Sequence, residues 1–267
     1  MDMTGVPVES LLDAAREAGI ARVVNVGCDV SSSRWSVEAA AAYPGVYAAV
    51  AIHPNDLPGQ ARGDDRPGQA EPARVHAPDS AGGAAVLAEI ERLAAQPETV
   101  AIGETGLDYY WHDTPPEAQR EWFRAHVEIA RRLGKPVMIH DREAHEDVLA
   151  ILEEYAPWPP YSVIFHCFSG DADMAGKCAE SGYVMSFAGT VTFKNAESLR
   201  EAAKAASADL MLAETDAPFL TPVPHRGKPN SPAMTAHTIR FLADLKGLDL
   251  ADFCAQLQFV GARVFGW

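Results

Sequence analysis

The 267-residue sequence is short of positive charge: 22 Lys and Arg stand against 37 Asp and Glu, a formal net charge of −15. A protein that grips duplex nucleic acid through a broad basic face is disfavoured by that balance, because such affinity comes mainly from neutralising phosphates. Metal ions and small acid-tolerant substrates stay open. Cysteine is scarce as well, at four residues, Cys28, Cys167, Cys178 and Cys254. Scattered without CxxC spacing, they point to free thiols and away from a disulfide framework or a zinc knuckle. No apolar run approaches the roughly 20 residues that span a bilayer, and the opening residues lack the basic-then-apolar layout of a signal peptide. A cytoplasmic protein is expected, with no membrane association and no obligate protein partner in evidence. Internal repeats and heptad runs are missing too. What is present is ordinary globular material, 48% hydrophobic and 22% charged, with enough length to bury a sizeable core.

Seven short runs rich in apolar and β-branched residues read as strands, at 22–28, 46–52, 100–103, 136–139, 162–165, 183–187 and 210–213. Segments with apolar residues three and four apart lie between them, among them 8–18, 33–42, 84–95, 117–133, 144–155, 171–181 and 196–206. This βα rhythm, with strands apolar on both faces, requires a parallel sheet covered by helices. An open doubly wound sheet and a closed (β/α)8 barrel both fit. The barrel is favoured, because the chemically interesting residues follow many different strands instead of one switch point. A barrel needs an eighth strand, and the sequence opens instead on the helix-like ESLLDAAREAGI. The first strand therefore reads as absent. Residues 60–83, rich in Pro, Gly, Ala and charge, read as a mobile surface insertion in one domain spanning 1–267, and residues 248–267 as closing helices.

Four expected strand ends carry possible metal ligands: Glu104 in GETGLD, His140 in MIHDR, His166 in FHCFSG and Asp216 in AETDAP. Singly, each has a plainer reading, since a lone strand-end histidine is more often a hydrogen-bonded rim residue. A barrel, however, gathers its strand ends at one mouth, where His, His, Glu and Asp make a mixed N/O site for Zn, Mn, Fe, Ni or Mg.

GETGLDYY, VMIHDREAHEDVL, HCFSG, SFAGTVTFKN and ETDAPFLTP, in this order, resemble the signature blocks of the TatD-like metal-dependent deoxyribonucleases of the amidohydrolase superfamily. The resemblance runs from about Glu9 to Phe265. It implies a TIM (β/α)8-type barrel that hydrolyses DNA phosphodiesters, with one or two divalent ions (Mg, Mn or Zn) per chain. Glu104, His140 and His166 would be metal ligands, and Asp216 would sit beside the attacking water. Two departures stand out. The His-x-His strand with which most of the family begins is missing, and His53 in AIHPND does not replace it by sequence; a late start of the sequence is the favoured explanation. Val260 stands where Asn is common.

In extended conformation Glu214 faces the same side as Asp216, to orient a water or a ligand histidine, or else to make a structural pair. Arg142 offers a bidentate fork for phosphate, with a salt bridge to Asp141 or Glu143 as the competing reading. Lys194, His225 and Arg226 bring positive charge to loops where barrel enzymes bind phosphate, and Ser169 with Gly170 allows close approach of an anion. Tyr109, Tyr110 and Trp111 are candidates for base stacking, although such loop aromatics more often pack on their own scaffold. Cys167 reads as a packed small residue. A nuclease acting on single-stranded or frayed DNA ends leads. A hydrolase of small esters, amides or phosphates, and an inactive barrel serving as a binding scaffold, are the alternatives.

Overall fold

The structure, a computed structural model, describes residues 5–59 and 75–267. The chain begins α1 (Val8–Glu17), β1 (Val23–Val26), α2 (Val30–Ala42), β2 (Val46–Val50), α3 (Ala81–Ala94), β3 (Thr99–Asp108), α4 (Pro116–Leu133), β4 (Val137–Arg142) and α5 (His145–Glu154). It continues β5 (Val163–Phe165), α6 (Ala172–Glu180), β6 (Val184–Phe187), α7 (Glu197–Ala205), β7 (Met211–Ala213), α8 (Thr235–Lys246) and α9 (Leu250–Phe265). Two compact units result. One is Val24–Pro157; the other joins residues 5–23 to 158–267.

In the first unit β1 to β4 neighbour one another in chain order. Ala48 lies opposite Thr99, and further along Gly106 faces His140 and Asp108 faces Arg142, all in parallel pairs. β2 shows why the sequence makes such strands: Ala48, Ala49, Val50 and Ala51 are wholly buried, as a strand covered on both faces demands. In the second unit β5, β6 and β7 pair in parallel, with Ile164 opposite Val184 and Ser186 opposite Leu212.

β3 corrects the strand reading. It runs on through Gly103 to Asp108, so Glu104 lies inside the strand and not after it, and β4 likewise includes His140. The reason is the pair of glycines around Glu104. A Cβ on Gly103 would meet Met138 Cβ at 2.4 Å, and one on Gly106 would meet the His140 carbonyl at 2.1 Å. Without side chains there, the two backbones close together and the ladder continues past the irregularity between Ile102 and Thr105.

α4 is the helix that holds this strand from behind. Pro116 occupies its first turn, where the missing N–H costs nothing, and Gly134 in the left-handed region ends it. Gln119, Trp122, Phe123, His126, Val127 and Ala130 form its buried stripe. Trp122 and Phe123 are among the largest fully buried side chains, and truncating either to Ala costs about 3–5 kcal/mol.

α3 starts at Ala81, because the Ser80 hydroxyl accepts from Gly83 N–H and caps it. Residues 81–83 of the expected insertion are therefore helical, while its residues 60–74 lie outside those described. α9 takes up most of the closing segment and ends at Gly266. All four cysteines are free. Among the described residues no helix is long and apolar enough to cross a membrane.

Candidate functional site

In the Val24–Pro157 unit one donor group gathers His53 from the segment after β2, Glu104 from β3 and His140 from β4, whose ligand atoms lie within 4.8 Å of one another. Glu104 Oε2 is 3.5 Å from His140 Nδ1, and Glu104 Oε1 is 4.0 Å from His53 Nε2. The Cys28 thiol, after β1, donates to Glu104 Oε1 at 3.7 Å.

Behind His140 stands Asp108, whose side chain is 1% exposed and whose Oδ2 accepts from His140 Nε2 at 3.0 Å. This bond fixes the proton of the neutral ring on Nε2 and leaves the Nδ1 lone pair facing Glu104. Asp108 is itself held on every side. Asn55 Nδ2 donates to Oδ2 at 2.9 Å, and the Tyr110 and Trp111 N–H groups donate to Oδ1 at 3.0 and 3.1 Å. The buried Gln119 of α4 clamps its main chain, accepting from Asp108 N–H at 2.7 Å and donating to its carbonyl at 2.9 Å. Burial works to raise the Asp108 pKa, but His140, the Trp111 N–H and Asn55 outweigh it and hold the carboxyl down at about 2. Burial likewise works against the cationic form of His140, yet Asp108 and Glu104 push its pKa up to about 9. The field at this imidazole favours positive charge.

His53 differs from His140 in its tautomer. Asn55 N–H donates to His53 Nδ1 at 3.1 Å, which places the proton of the neutral ring on Nε2, 3.2 Å from His140 Nδ1. His53 therefore presents an N–H where His140 presents a lone pair. Its neighbour Ile52 N–H donates to the buried His126 Nε2 at 3.1 Å, and His126 Nδ1 donates to the Trp122 carbonyl at 2.8 Å.

The other unit repeats the device. His166 follows β5, and its Nδ1 lies 2.5 Å from Glu214 Oε2, which leaves Nε2 facing Asp216 Oδ1 at 3.6 Å. Glu214 Oε1 also accepts from Cys167 N–H at 2.5 Å, so one carboxylate after β7 fixes both the ring and the turn that carries it. Cys167 and Asp216 are both in the left-handed region, at φ 47° and 57°. Asp tolerates that backbone; for Cys it is strained, and surrounding contacts must impose it. The buried Asn230 staples the following loop, donating to the carbonyls of Thr215 at 2.7 Å and Phe219 at 2.5 Å.

The remaining candidates are placed as follows. Arg142 does not salt-bridge Asp141, which His145 Nδ1 holds at 2.7 Å; its guanidinium lies over the Tyr110 ring, 3.8 Å from the centroid. Arg226 stacks on Phe193 at 3.7 Å, and the His225 ring meets His237 at 4.6 Å. Lys194 and Ser169 are exposed. Gly170 is confined, since a Cβ there would meet Met174 Sδ at 2.3 Å and Phe168 at 2.8 Å.

The sequence reading set His53 aside as no replacement for His-x-His and missed Asp108 and Asn230. His53 carried the same signal as the others, a polar residue after an apolar strand. Asp108 stood four residues beyond Glu104, where an extended chain returns to the same face, once the strand is read through GETGLD.

The His53, Glu104 and His140 group fits a divalent ion: imidazole nitrogens and a carboxylate without thiolate, with the His140 ring oriented by Asp108, in a field that favours a cation. Comparisons with known proteins agree. Among solved structures the fold matches a TatD homologue, YJJV, of Escherichia coli K12 with a TM-score of 0.83 at 23% identity, covering 97% of this chain and 92% of that one. An uncharacterized amidohydrolase of Saccharomyces cerevisiae matches with a TM-score of 0.80 at 17% identity, over 96% and 91%. These likenesses show the expected α/β, TIM-barrel-type fold. In sequence, the chain is 44% identical to an uncharacterized metal-dependent hydrolase, TatD, of Mycobacterium tuberculosis, over 89% of this chain and 83% of the relative. It is 35% identical to the uncharacterized metal-dependent hydrolase YabD of Bacillus subtilis, over 97% and 92%. The family described as TatD related DNase matches residues 4–266, and the chain therefore belongs to the TatD family of metal-dependent hydrolases.

Proposed function

We propose that this chain is a metal-dependent deoxyribonuclease that hydrolyses phosphodiester bonds in single-stranded or frayed DNA. The observation that carries the reading is the doubled carboxylate–imidazole arrangement, Asp108 on His140 and Glu214 on His166, with a further carboxylate facing each free ring nitrogen. The family description, TatD related DNase, supports the DNA substrate.

The metal donors are Glu104 and His140 in one unit and His166 and Asp216 in the other. Each pair by itself suits a divalent ion, Mg, Mn or Zn, which when bound would supply a water acidified from a pKa of about 15.7 towards about 7 and positive charge against a phosphoryl oxygen. The chain's own residues do the rest. Asp108 and Glu214 keep the ligand rings turned with a lone pair forward. Asp216, held in its left-handed turn, accepts the proton of the attacking water. His53 carries its Nε2–H beside His140 Nδ1, where an oxygen of a bound phosphate would compete for it, and Arg142 contributes a fixed cation. Ser169, Lys194, His225 and Arg226 guide the strand from the loops of their unit. The charge of −15 fits this division of labour. The metal and a few loop residues would bring positive charge to the reacting phosphate, so affinity without metal should be weak and duplex binding poor.

End-labelled single strands and duplexes incubated with Mn or Mg, with and without chelator, test the reading beside a panel of small esters and amides. Chelator-sensitive shortening of the single strand is the expected result. Hydrolysis of the small substrates with intact DNA would overturn it.

A further inference from the structure

Tyr110 and Trp111 are among the large apolar side chains left exposed, at 45% and 51%. Their rings meet edge to face at 5.0 Å, and the Arg142 guanidinium carbon lies 3.8 Å from the Tyr110 centroid and 5.8 Å from that of Trp111. Loop aromatics that merely pack on their scaffold are covered; these two stay half exposed. Among the described residues Arg142 has no carboxylate partner, so its charge is available.

The group is rigidly tied to the reacting centre. Both aromatic residues donate their N–H groups to Asp108 Oδ1, the carboxylate whose other oxygen orients His140. Tyr109 anchors the loop from below: its N–H donates to the Arg142 carbonyl at 2.9 Å, and its hydroxyl donates to Asp147 Oδ2 at 2.5 Å and accepts from Arg120 at 2.8 Å. Asp108 pairs with Arg142 across β3 and β4, two residues beyond the pair Gly106 and His140. An exposed aromatic face beside an unpaired guanidinium recognises a flat ring joined to an anion, the chemistry of a nucleotide in an unpaired strand.

We propose that Trp111 and Tyr110 stack on the nucleobase next to the scissile phosphate while Arg142 holds the phosphate joined to that base. The platform sets the preference for unpaired DNA, since a base still in a duplex cannot reach it. This rests on the nuclease reading above and specifies its substrate subsite.

The experiment uses the full chain with oligonucleotides carrying one abasic nucleotide, stepped along the strand, in parallel with Trp111→Ala and Trp111→Phe. Cleavage kinetics are read with Mn, and anisotropy of a fluorescein-labelled strand is read in chelator. Trp111→Ala should raise KM about tenfold, in line with the loss of one stacked base, with a much smaller change in kcat, and Trp111→Phe should restore most of it. One abasic position should cost the parent protein the same factor and cost Trp111→Ala nothing further. An unchanged KM in Trp111→Ala, or equal abasic penalties in the parent and Trp111→Ala, overturns the platform while leaving the nuclease standing. Trp111-dependent strand binding without cleavage overturns the nuclease and keeps the platform; absence of both removes the two together.

Discussion

The two units solve the same problem with different parts. Each presents a histidine whose one ring nitrogen is held by a carboxylate and whose other faces a second carboxylate. In Val24–Pro157 the holding residue, Asp108, is buried at 1% exposure, comes from the strand beside His140, and is clamped by Gln119, Asn55 and two loop N–H groups. In the other unit Glu214 reaches His166 from a loop, is 18% exposed, and shares its oxygens with the Cys167 N–H. One group is built into a sheet and the other into strained turns. The first should tolerate motion and fail on substitution of its framework; the second should depend on single hydrogen bonds.

The severest way to break the comparison is to remove a donor outright. Glu104→Ala should lower metal-dependent hydrolysis on the order of a thousandfold, the scale expected when the charge that neutralises a phosphoryl oxygen goes. Metal content of the purified protein should fall with it. Asp216→Asn should match it in rate but retain more metal, because the role proposed for it includes the water proton; equal activity to the parent in either variant refutes the donor assignment.

Acid should find the first unit through a residue outside the donor group. His126 is fully buried and burial holds its pKa down at about 4, against 6.5 for the ordinary side chain. Below 6.5 the unfolded chain takes up a proton that the folded one refuses, so stability falls as pH drops towards 4 and levels off beneath it. At about 1.4 kcal/mol per pH unit the loss reaches about 3 kcal/mol. Protonation would also set an N–H against the donating Ile52 N–H, freeing the residue before His53. Urea midpoints from pH 7 to 4 check this, and His126→Gln should flatten the profile in that window. A flat profile in the parent would contradict it.

Removing the holding carboxylates sharpens the contrast. Asp108→Asn and Glu214→Gln should each weaken metal binding about 10- to 100-fold, as loss of a ring-orienting partner does elsewhere. Asp108→Asn should lower the melting temperature more than Glu214→Gln, because Asp108 is buried and fastens two N–H groups of the 109–111 loop where Glu214 fastens one. Matching melting temperatures in both variants would show that the two groups are supported alike.

The order of strands, the helices between them and the candidates Glu104 and His140, which the structure brings together, were legible in the sequence, because periodicity and strand-end chemistry are local signals. The site's geometry was less so. GETGLD reads as a loop until the close approach of Gly103 and Gly106 to β4 is seen, a contact between residues more than 30 positions apart. Asp108 was hidden for that reason. Asn230 was hidden because a side chain that satisfies carbonyls 11 and 15 residues earlier leaves no periodic trace. His53 was visible but was measured against the wrong standard, as a substitute for an N-terminal His-x-His and not as a residue in its own right.

His53 also supplies the finest test of the comparison, since the second unit's group of His166, Glu214 and Asp216 shows no second imidazole among the described residues. Proximity alone makes His53 a ligand beside Glu104 and His140. Its hydrogen bond argues otherwise: with Asn55 N–H on Nδ1, a neutral ring has no lone pair at Nε2 to give. A proton donor should influence the reaction and not the metal. His53→Asn should therefore keep the parent's metal content while turnover drops about tenfold, less than the 10²–10⁴ often seen for a full general acid, because the donor only steadies an oxygen. If metal content falls in step with turnover, the ring has flipped its proton and bound the ion, and the two units differ in ligand number as well as in support.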